Sequence, residues 1–195
     1  RLSNSNQVWF TNSDEELVVD YHNLITSLFG IRATVNEYKP NCFDVIAYSS
    51  VLITLLRKFG MASNTEFKDI TNLYLRHASE NELAELLNGL YSGDGYVSDK
   101  SIEITTKSRS LGIAIESVLL RLGIRPKTKW SIKVATNTGY SGMYKDIIIY
   151  GVDYFKVFWS KIKFAHKQKQ FKLEKLISLK SNPNVDVIEL NSLVK

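Results

Sequence analysis

The chain has 195 residues, 44% of them hydrophobic and 23% charged, with a formal net charge of +5 and a sequence pI of about 9.1. That length supports one or two domains with a real core, and no apolar run approaches the ~20 residues that span a bilayer. Cys42 is the single cysteine, which excludes an internal disulfide and a cysteine-cluster metal site, and His22, His77 and His166 share no metal-ligand spacing.

The start, RLSNSNQVWF, is polar and then strand-like, unlike a signal peptide. The basic balance permits a polyanionic partner without demanding one. Its distribution is uneven: residues 107–180 hold a large share of the Lys and Arg, while residues 79–94 are acidic.

In chain order, Gln7 to Thr11 reads as a strand. Ser13 and Glu16 have capping-box spacing, and Leu17, Tyr21, Leu24 and Leu28 mark a helix that ends at Gly30. Arg32 to Lys39 and Phe43 to Tyr48 read as strands joined by a turn at Pro40-Asn41, followed by a helix from Ser50 to Phe59 closed by Gly60. Residues 61–78 read as irregular, with one helical turn at most.

Ser79 to Val97 carries the strongest helix signal. Ser79 and Glu82 form a second capping box, and Leu83, Leu86, Leu87 and Leu90 fall at i, i+3, i+4 and i+7. Gly89 and Gly93 lie four apart on the same helix. Each weakens a helix interior by roughly 1 kcal/mol against alanine, so the pair implies close approach of another backbone. The helix is expected to stop at Asp94-Gly95, where its dipole is negative and a cation is favoured.

Beyond it, Ser101 to Thr105 reads as a strand and Leu111 to Leu122 as a helix ended by Gly123. Arg125 to Ala135 and Asp146 to Tyr150 read as strands, with helices over Val152–Ile162 and Lys167–Leu179; the last has Phe171, Leu173, Leu176 and Ile177 as its apolar set. This second series repeats the first. Phe-Gly-Ile-Arg at 29–32 matches Leu-Gly-Ile-Arg at 122–125, Asp44 to Tyr48 matches Asp146 to Tyr150, and Thr11 matches Thr105. The offset places the first copy's counterpart of Asp94 at or just before Arg1.

Leu87-Asn88-Gly89-Leu90-Tyr91-Ser92-Gly93-Asp94-Gly95 resembles the nine-residue LAGLIDADG motif of homing endonucleases. Leu87, Gly89, Leu90, Asp94 and Gly95 match it; Asn88, Tyr91, Ser92 and Gly93 depart. The resemblance implies an α+β fold of two pseudo-symmetric repeats, αββαββα-like, whose antiparallel sheets form a saddle for DNA with helices behind. The expected units are 1–78, a first repeat without its motif helix; 79–180, a second repeat with its motif helix at 79–95; and 181–195, an exit segment.

The function this resemblance implies is site-specific, metal-dependent hydrolysis of double-stranded DNA at a long asymmetric site. The alternatives are a non-cleaving DNA-binding protein of the same fold or an RNA maturase. The resemblance makes Asp94 the second-repeat metal-binding acid, with the Gly93 carbonyl beside it and Mg²⁺ as the metal, since magnesium takes oxygen ligands and keeps waters. The protein is expected to act as a monomer if the first motif helix is supplied. An archaeal or other prokaryotic cytoplasm is its expected location, with no membrane partner.

The segment Phe67-Lys68-Asp69-Ile70-Thr71 resembles the Lys-x-Ile-Pro segment of intein-type members, with Thr71 in place of the proline. Lys68 is therefore the first-half catalytic lysine by resemblance. Lys169, with Lys167 as runner-up, is its second-half counterpart, in a stretch that holds six Lys or His residues between 161 and 172. Residues 181–188 resemble the exit from endonuclease domains inserted in archaeal-type inteins, and the self-splicing residues are absent from this sequence.

The strand alternation gives the expected DNA-binding faces. Lys129, Ser131 and Lys133 lie on one side of their strand, with Thr128, Trp130, Ile132 and Val134 on the side expected to pack on helices. In the first copy Arg32, Thr34, Asn36 and Tyr38 share a face opposite Ala33 and Val35. Gln7, Trp9, Lys107, Arg125, Lys127, Lys145 and Lys167 complete the set. Lys and Arg would hold phosphates, while Asn, Gln, Ser and Arg read base edges.

Overall fold

The structure, a computed structural model, describes residue 2 and residues 6–134, 139 and 141–180. Ala135 and the exit segment 181–195, with its intein-like residues 181–188, lie outside the described residues. Within them the chain forms two antiparallel sheets backed by helices, as the α+β two-repeat expectation requires.

The first sheet contains β1 (Gln7–Asn12), β2 (Ala33–Lys39) and β3 (Cys42–Tyr48) in the order β1-β3-β2. It is backed by α1 (Glu15–Phe29) and α2 (Ser50–Lys58). A 3₁₀ turn (Thr65–Phe67) and α3 (Asn72–His77) give more order to 61–78 than its sequence suggests. The motif helix is α4 (Glu80–Asp94). The second sheet is β4-β5-β7-β6, from β4 (Tyr96–Val97), β5 (Ile102–Thr106), β6 (Lys127–Val134) and β7 (Ser141–Ile149). Helices α5 (Arg109–Arg121), α6 (Val152–Lys161) and α7 (Lys167–Ile177) pack behind it.

The repeat is visible in the strand registers. Thr11 stands opposite Asp44 in the first sheet, and Thr105 opposite Asp146 in the second. Both threonines donate to their aspartates, at 2.5 and 2.7 Å. The short pairing of Val97 with Ile102 has a first-half counterpart in the isolated bridge between Leu2 and Val8.

Alternation and register send the even residues of β1 with the odd residues of β3 toward the helices, and the rest to the other face. Ala33, Val45 and Ala47 are buried against α1 and α2 with Val8, Val18, Ile25 and Leu52. The larger core gathers Leu83, Leu87 and Tyr91 of α4, Ile115 and Leu119 of α5, Phe155 and Phe158 of α6, and Leu173 of α7. Ile70 and Ala78 are buried in this second core, so the segment before 79 packs with the unit that follows it.

The α4 cap is the one its sequence dictates. The Ser79 hydroxyl accepts from the Glu82 amide, and the Glu82 carboxylate accepts from the Ser79 amide at 2.7 Å. Three local expectations need correction. The α1 cap is Asp14, not Ser13: Asn12 turns the chain by accepting the Asp14 amide, which brings the Asp14 carboxylate onto the Leu17 amide at 3.0 Å. The buried face of α1 is Leu17, Val18 and Ile25, while Leu24 and Leu28 are exposed. Trp130, Ile132 and Val134 are exposed rather than packed on helices, because β6 is the edge strand of its sheet and α5 packs on β5 and β7.

Two predictions follow from the end of α4. A Cβ on Gly95 would stand 2.4 Å from the Tyr91 carbonyl oxygen, so Gly95→Ala must shift the helix end. It should cost about 1–3 kcal/mol in denaturant unfolding. Tyr91 is fully buried, stacks edge-on against Phe158 at 5.1 Å, and its hydroxyl has no hydrogen-bond partner. Tyr91→Phe removes a desolvated polar group and keeps the ring, so it should raise stability by about 1 kcal/mol; a loss of stability would show that the hydroxyl is satisfied.

Candidate nuclease centre and nucleic-acid interface

At the C-terminal end of α4 the Gly95 amide closes the last turn on the Tyr91 carbonyl at 3.0 Å, and the carbonyls beyond it stand beside the exposed carboxylate of Asp94. A cation is held there. The Lys169 ammonium donates to the carbonyls of Tyr91, Ser92 and Gly93 at 3.2, 2.6 and 3.3 Å. Burial pulls the Lys169 pKa below the ordinary lysine value, opposed by the negative charges of Asp94 and Asp14. The loop before α7 is pinned to the same helix: the Ala165 amide donates to Asn88 Oδ1 at 3.0 Å and to Ser92 Oγ at 2.8 Å. Asn88 and Ser92, two of the motif's departures, thus carry the loop that delivers Lys169.

On the other side of the helix end, Asp94 and Lys68 line one cavity of about 230 Å³ with Lys107, Thr105, Thr106 and Tyr144. Ser108, the N-cap of α5, donates its hydroxyl to the Lys68 carbonyl, which ties the lysine's backbone to the second repeat. Lys107 forms an ion pair with Glu66. The three residues expected to be catalytic therefore converge on one helix end: Asp94 at the tip, Lys68 across the cavity and Lys169 on the carbonyls.

The contacts between α1 and the start of α7 also cross between repeats. His166 Nε2 lies 3.2 Å from Asp14 Oδ2, and Lys167 Nζ lies 2.5 Å from Glu16 Oε1. Lys167, expected both to bind DNA and to be the runner-up catalytic lysine, is thus exposed and paired with α1. The ion pair with Glu16 raises its pKa.

The donors at Asp94 are hard oxygens, one carboxylate and main-chain carbonyls, which suit magnesium better than a soft metal. Among the described residues no group of three His, Cys, Asp or Glu side chains stands close enough to hold an ion. These donors are of the kind that Mg²⁺ takes, and Asp94 would supply one carboxylate toward it. Nothing described lies within 4 Å of a Cβ built on Gly89 or Gly93, so the small-residue face of α4 is open.

The register places the expected DNA-binding side chains as follows. Gln7, Trp9, Thr34 and Asn36 share one face of the first sheet with Asp44, Ile46 and Tyr48. Arg32, just before β2, and Tyr38, near its end, are exposed. Gln7 Nε2 donates to the Tyr48 hydroxyl at 2.9 Å and Trp9 Nε1 to Gln7 Oε1 at 3.0 Å, so these side chains are held in place on that face. In the second sheet Lys127, Lys129, Ser131 and Lys133 share a face with Thr105, Tyr144 and Asp146, and Arg125 is exposed just ahead of β6. Lys127 lies over the Tyr150 ring at 5.6 Å.

Lys145 is on the opposite face from these groups. It is 5% exposed, packs over Gly112 of α5 and forms an ion pair with Glu116. The odd-even alternation of β7 is the reason: Lys145 shares a side with Ile147 and Ile149, whereas Asp146 points with Tyr144. Sequence reading missed Asp44 and Asp146 themselves, although their matched positions in the two copies were the available signal.

Residues 81–163 match the family model described as a LAGLIDADG-like domain. The chain is 26% identical over 189 residues to a replication factor C small subunit of Methanocaldococcus jannaschii, covering 96% of this chain and 10% of that protein. It is 31% identical over 184 residues to a DNA-directed RNA polymerase subunit of the same organism, covering 90% of this chain and 20% of that protein. An ATP-dependent DNA helicase, again of M. jannaschii, is 32% identical over 143 residues, covering 68% of this chain and 12% of that protein. The chain thus spans a fifth or less of the length of these curated relatives.

Among solved structures, the homing endonuclease I-DmoI in complex with DNA and Ca superposes with a TM-score of 0.62 at 17% identity, covering 86% of this chain and 82% of that one. I-DmoI structures with target DNA are also solved in the presence of Mg and of Mn. Full-length DUF199/WhiA from Thermatoga maritima, which is not named as a nuclease, matches with a TM-score of 0.58 at 15% identity, covering 97% of this chain and 60% of that one. No helix among the described residues is long and apolar enough to cross a membrane. Residues 81–163 thus match a LAGLIDADG-like domain, and the chain shares its fold with the homing endonuclease I-DmoI.

Proposed function

We propose that the protein is a site-specific endonuclease acting on double-stranded DNA, and that the end of α4 is half of its catalytic centre. The observation that carries this reading is the convergence of Asp94, Lys68 and Lys169 on one exposed helix end beside two polar sheet faces.

In this mechanism Asp94 and the Gly93 carbonyl would hold Mg²⁺, which when bound neutralises charge on the scissile phosphate and acidifies water. Lys169 fixes the carbonyls of the helix end, Gly93 included, and balances the Asp94 charge. Lys68, anchored through its carbonyl by Ser108, faces the same cavity and stabilises charge developing on phosphoryl oxygens. A second helix, carrying the second carboxylate, is proposed to pack on the open Gly89–Gly93 face of α4, from this protein or from another chain.

The units 1–78, 79–180 and 181–195 fit this reading as a first half, a second half and a connection. Its setting is proposed to be an intein or another inserted element of an archaeal host. Support comes from the curated relatives: one short segment aligns within three proteins whose names share no activity, as an inserted element would. A second reading, a DNA-binding protein that does not cleave, is favoured by one observation, the DUF199/WhiA likeness.

The two readings separate on Asp94→Asn. Under nuclease conditions with Mg²⁺, the substitution should lower cleavage of target duplex by about 10²-fold or more, while duplex binding in Ca²⁺ persists. Cleavage surviving in the variant contradicts the catalytic role, and binding by a wild type that never nicks DNA favours the second reading. Duplex affinity should also fall steeply with salt, by roughly 0.9 log unit per log unit of salt for each phosphate engaged. A salt-insensitive association, or a preference for RNA over duplex, would sink the interface assigned to the two sheets.

A further inference from the structure

Asp146 sits, 6% exposed, in the middle of the face proposed to meet DNA. A carboxylate there repels the phosphate backbone, so its presence needs a function. Three donors from two strands converge on it. Thr105 Oγ1 of β5 donates at 2.7 Å, Ser131 Oγ of β6 at 2.7 Å, and the Lys133 ammonium of β6 lies 2.6 Å from Oδ1. Lys133 also donates to Thr105 Oγ1 at 3.0 Å. The lysine therefore lies back along the sheet face instead of extending from it, although its side chain is 44% exposed and within reach of a ligand.

The first sheet has the aspartate without the lysine. Asp44 takes Thr11, and its ladder partner on β2 is Asn36, whereas the ladder partner of Asp146 on β6 is Lys129. The threonine–aspartate pair is thus common to both repeats, and the lysine clamp belongs to the second.

We propose that Asp146 is a positioning residue for duplex recognition, which holds Lys133 down on the sheet face and withholds its charge from the phosphate backbone. The clamp leaves Lys129 and Lys127 to grip phosphates and keeps Lys133, with Ser131, directed at the groove. Indiscriminate affinity is lowered, because one cation is already neutralised, and discrimination between sequences rises with it. This inference rests on the duplex-binding reading above.

The test is a thermodynamic cycle on the full chain, with fluorescence polarisation of a mixed-sequence duplex in Ca²⁺ across a salt titration. Asp146→Asn keeps hydrogen-bonding capacity toward Thr105 and Ser131 but frees Lys133. Its log–log salt slope should steepen by about 0.9, the value for one additional phosphate contact. The double variant Asp146→Asn with Lys133→Met should return to the wild-type slope. An unchanged slope in Asp146→Asn overturns the proposal, as does a steepening that persists in the double variant. If Asp146→Asn does not fold, Lys133→Met alone decides. A slope change of less than about half a unit supports the clamp, and the loss of a full phosphate equivalent overturns it. A wild type with no salt-dependent duplex binding counts against the duplex-binding reading itself, whereas binding with an unaltered Asp146→Asn slope counts against this inference alone.

Discussion

Three carbonyl oxygens at the end of α4 meet one ammonium, and much of the candidate site depends on that meeting. A helix C-terminus carries a partial negative charge, and Asp94 adds a full one. Left to water, the last turn would fray and the acid would have no fixed position. Lys169 supplies the opposing charge from a helix of its own. Ala165 is bonded to Asn88 and Ser92, so the loop ahead of Lys169 is docked on the helix that Lys169 caps. The acid therefore sits at the end of a rigid element, as its proposed role requires.

The two halves meet through polar clasps placed at helix starts. Ser108, capping α5, reaches the Lys68 backbone, and Asp14, capping α1, reaches His166. Glu66 with Lys107 and Glu16 with Lys167 flank them. Exposed ion pairs contribute little individually, about 0–1 kcal/mol, so their importance lies in direction. They orient the cationic loops of one half toward the helix end that the site is built on. Behind them the apolar cores supply the stability, with Tyr91 and Phe158 linking the motif helix to α6.

The large periodicities were legible in the sequence. The capping box at Ser79, the glycine after α1 and the repeat of threonine and aspartate positions all carry local signals, and the two-sheet architecture follows from their order. The proposed trio of Asp94, Lys68 and Lys169 came only through resemblance, because nothing in residue spacing brings Lys68 to the cavity it shares with Asp94. Side-chain direction was harder. Lys145 reads as one more basic residue near a basic strand, yet β7 is paired on both sides and its alternation turns that lysine onto α5. Trp130, Ile132 and Val134 show the converse, since apolar alternation assigns a side but not how far the covering helix extends. The Asp14 cap was masked by a neighbouring serine with better motif spacing, and the Asn12 turn decided between them.

The central claim is that the end of α4 collects a divalent ion with the charge that Asp94 provides. Paramagnetic Mn²⁺ titrated into the isotope-labelled protein, with duplex DNA present, tests it directly. The account predicts that the amide signals of Ser92 to Gly95 broaden first, joined by those around Lys68, and that excess Mg²⁺ restores them. Broadening centred elsewhere, with Ser92 to Gly95 spared, would contradict it.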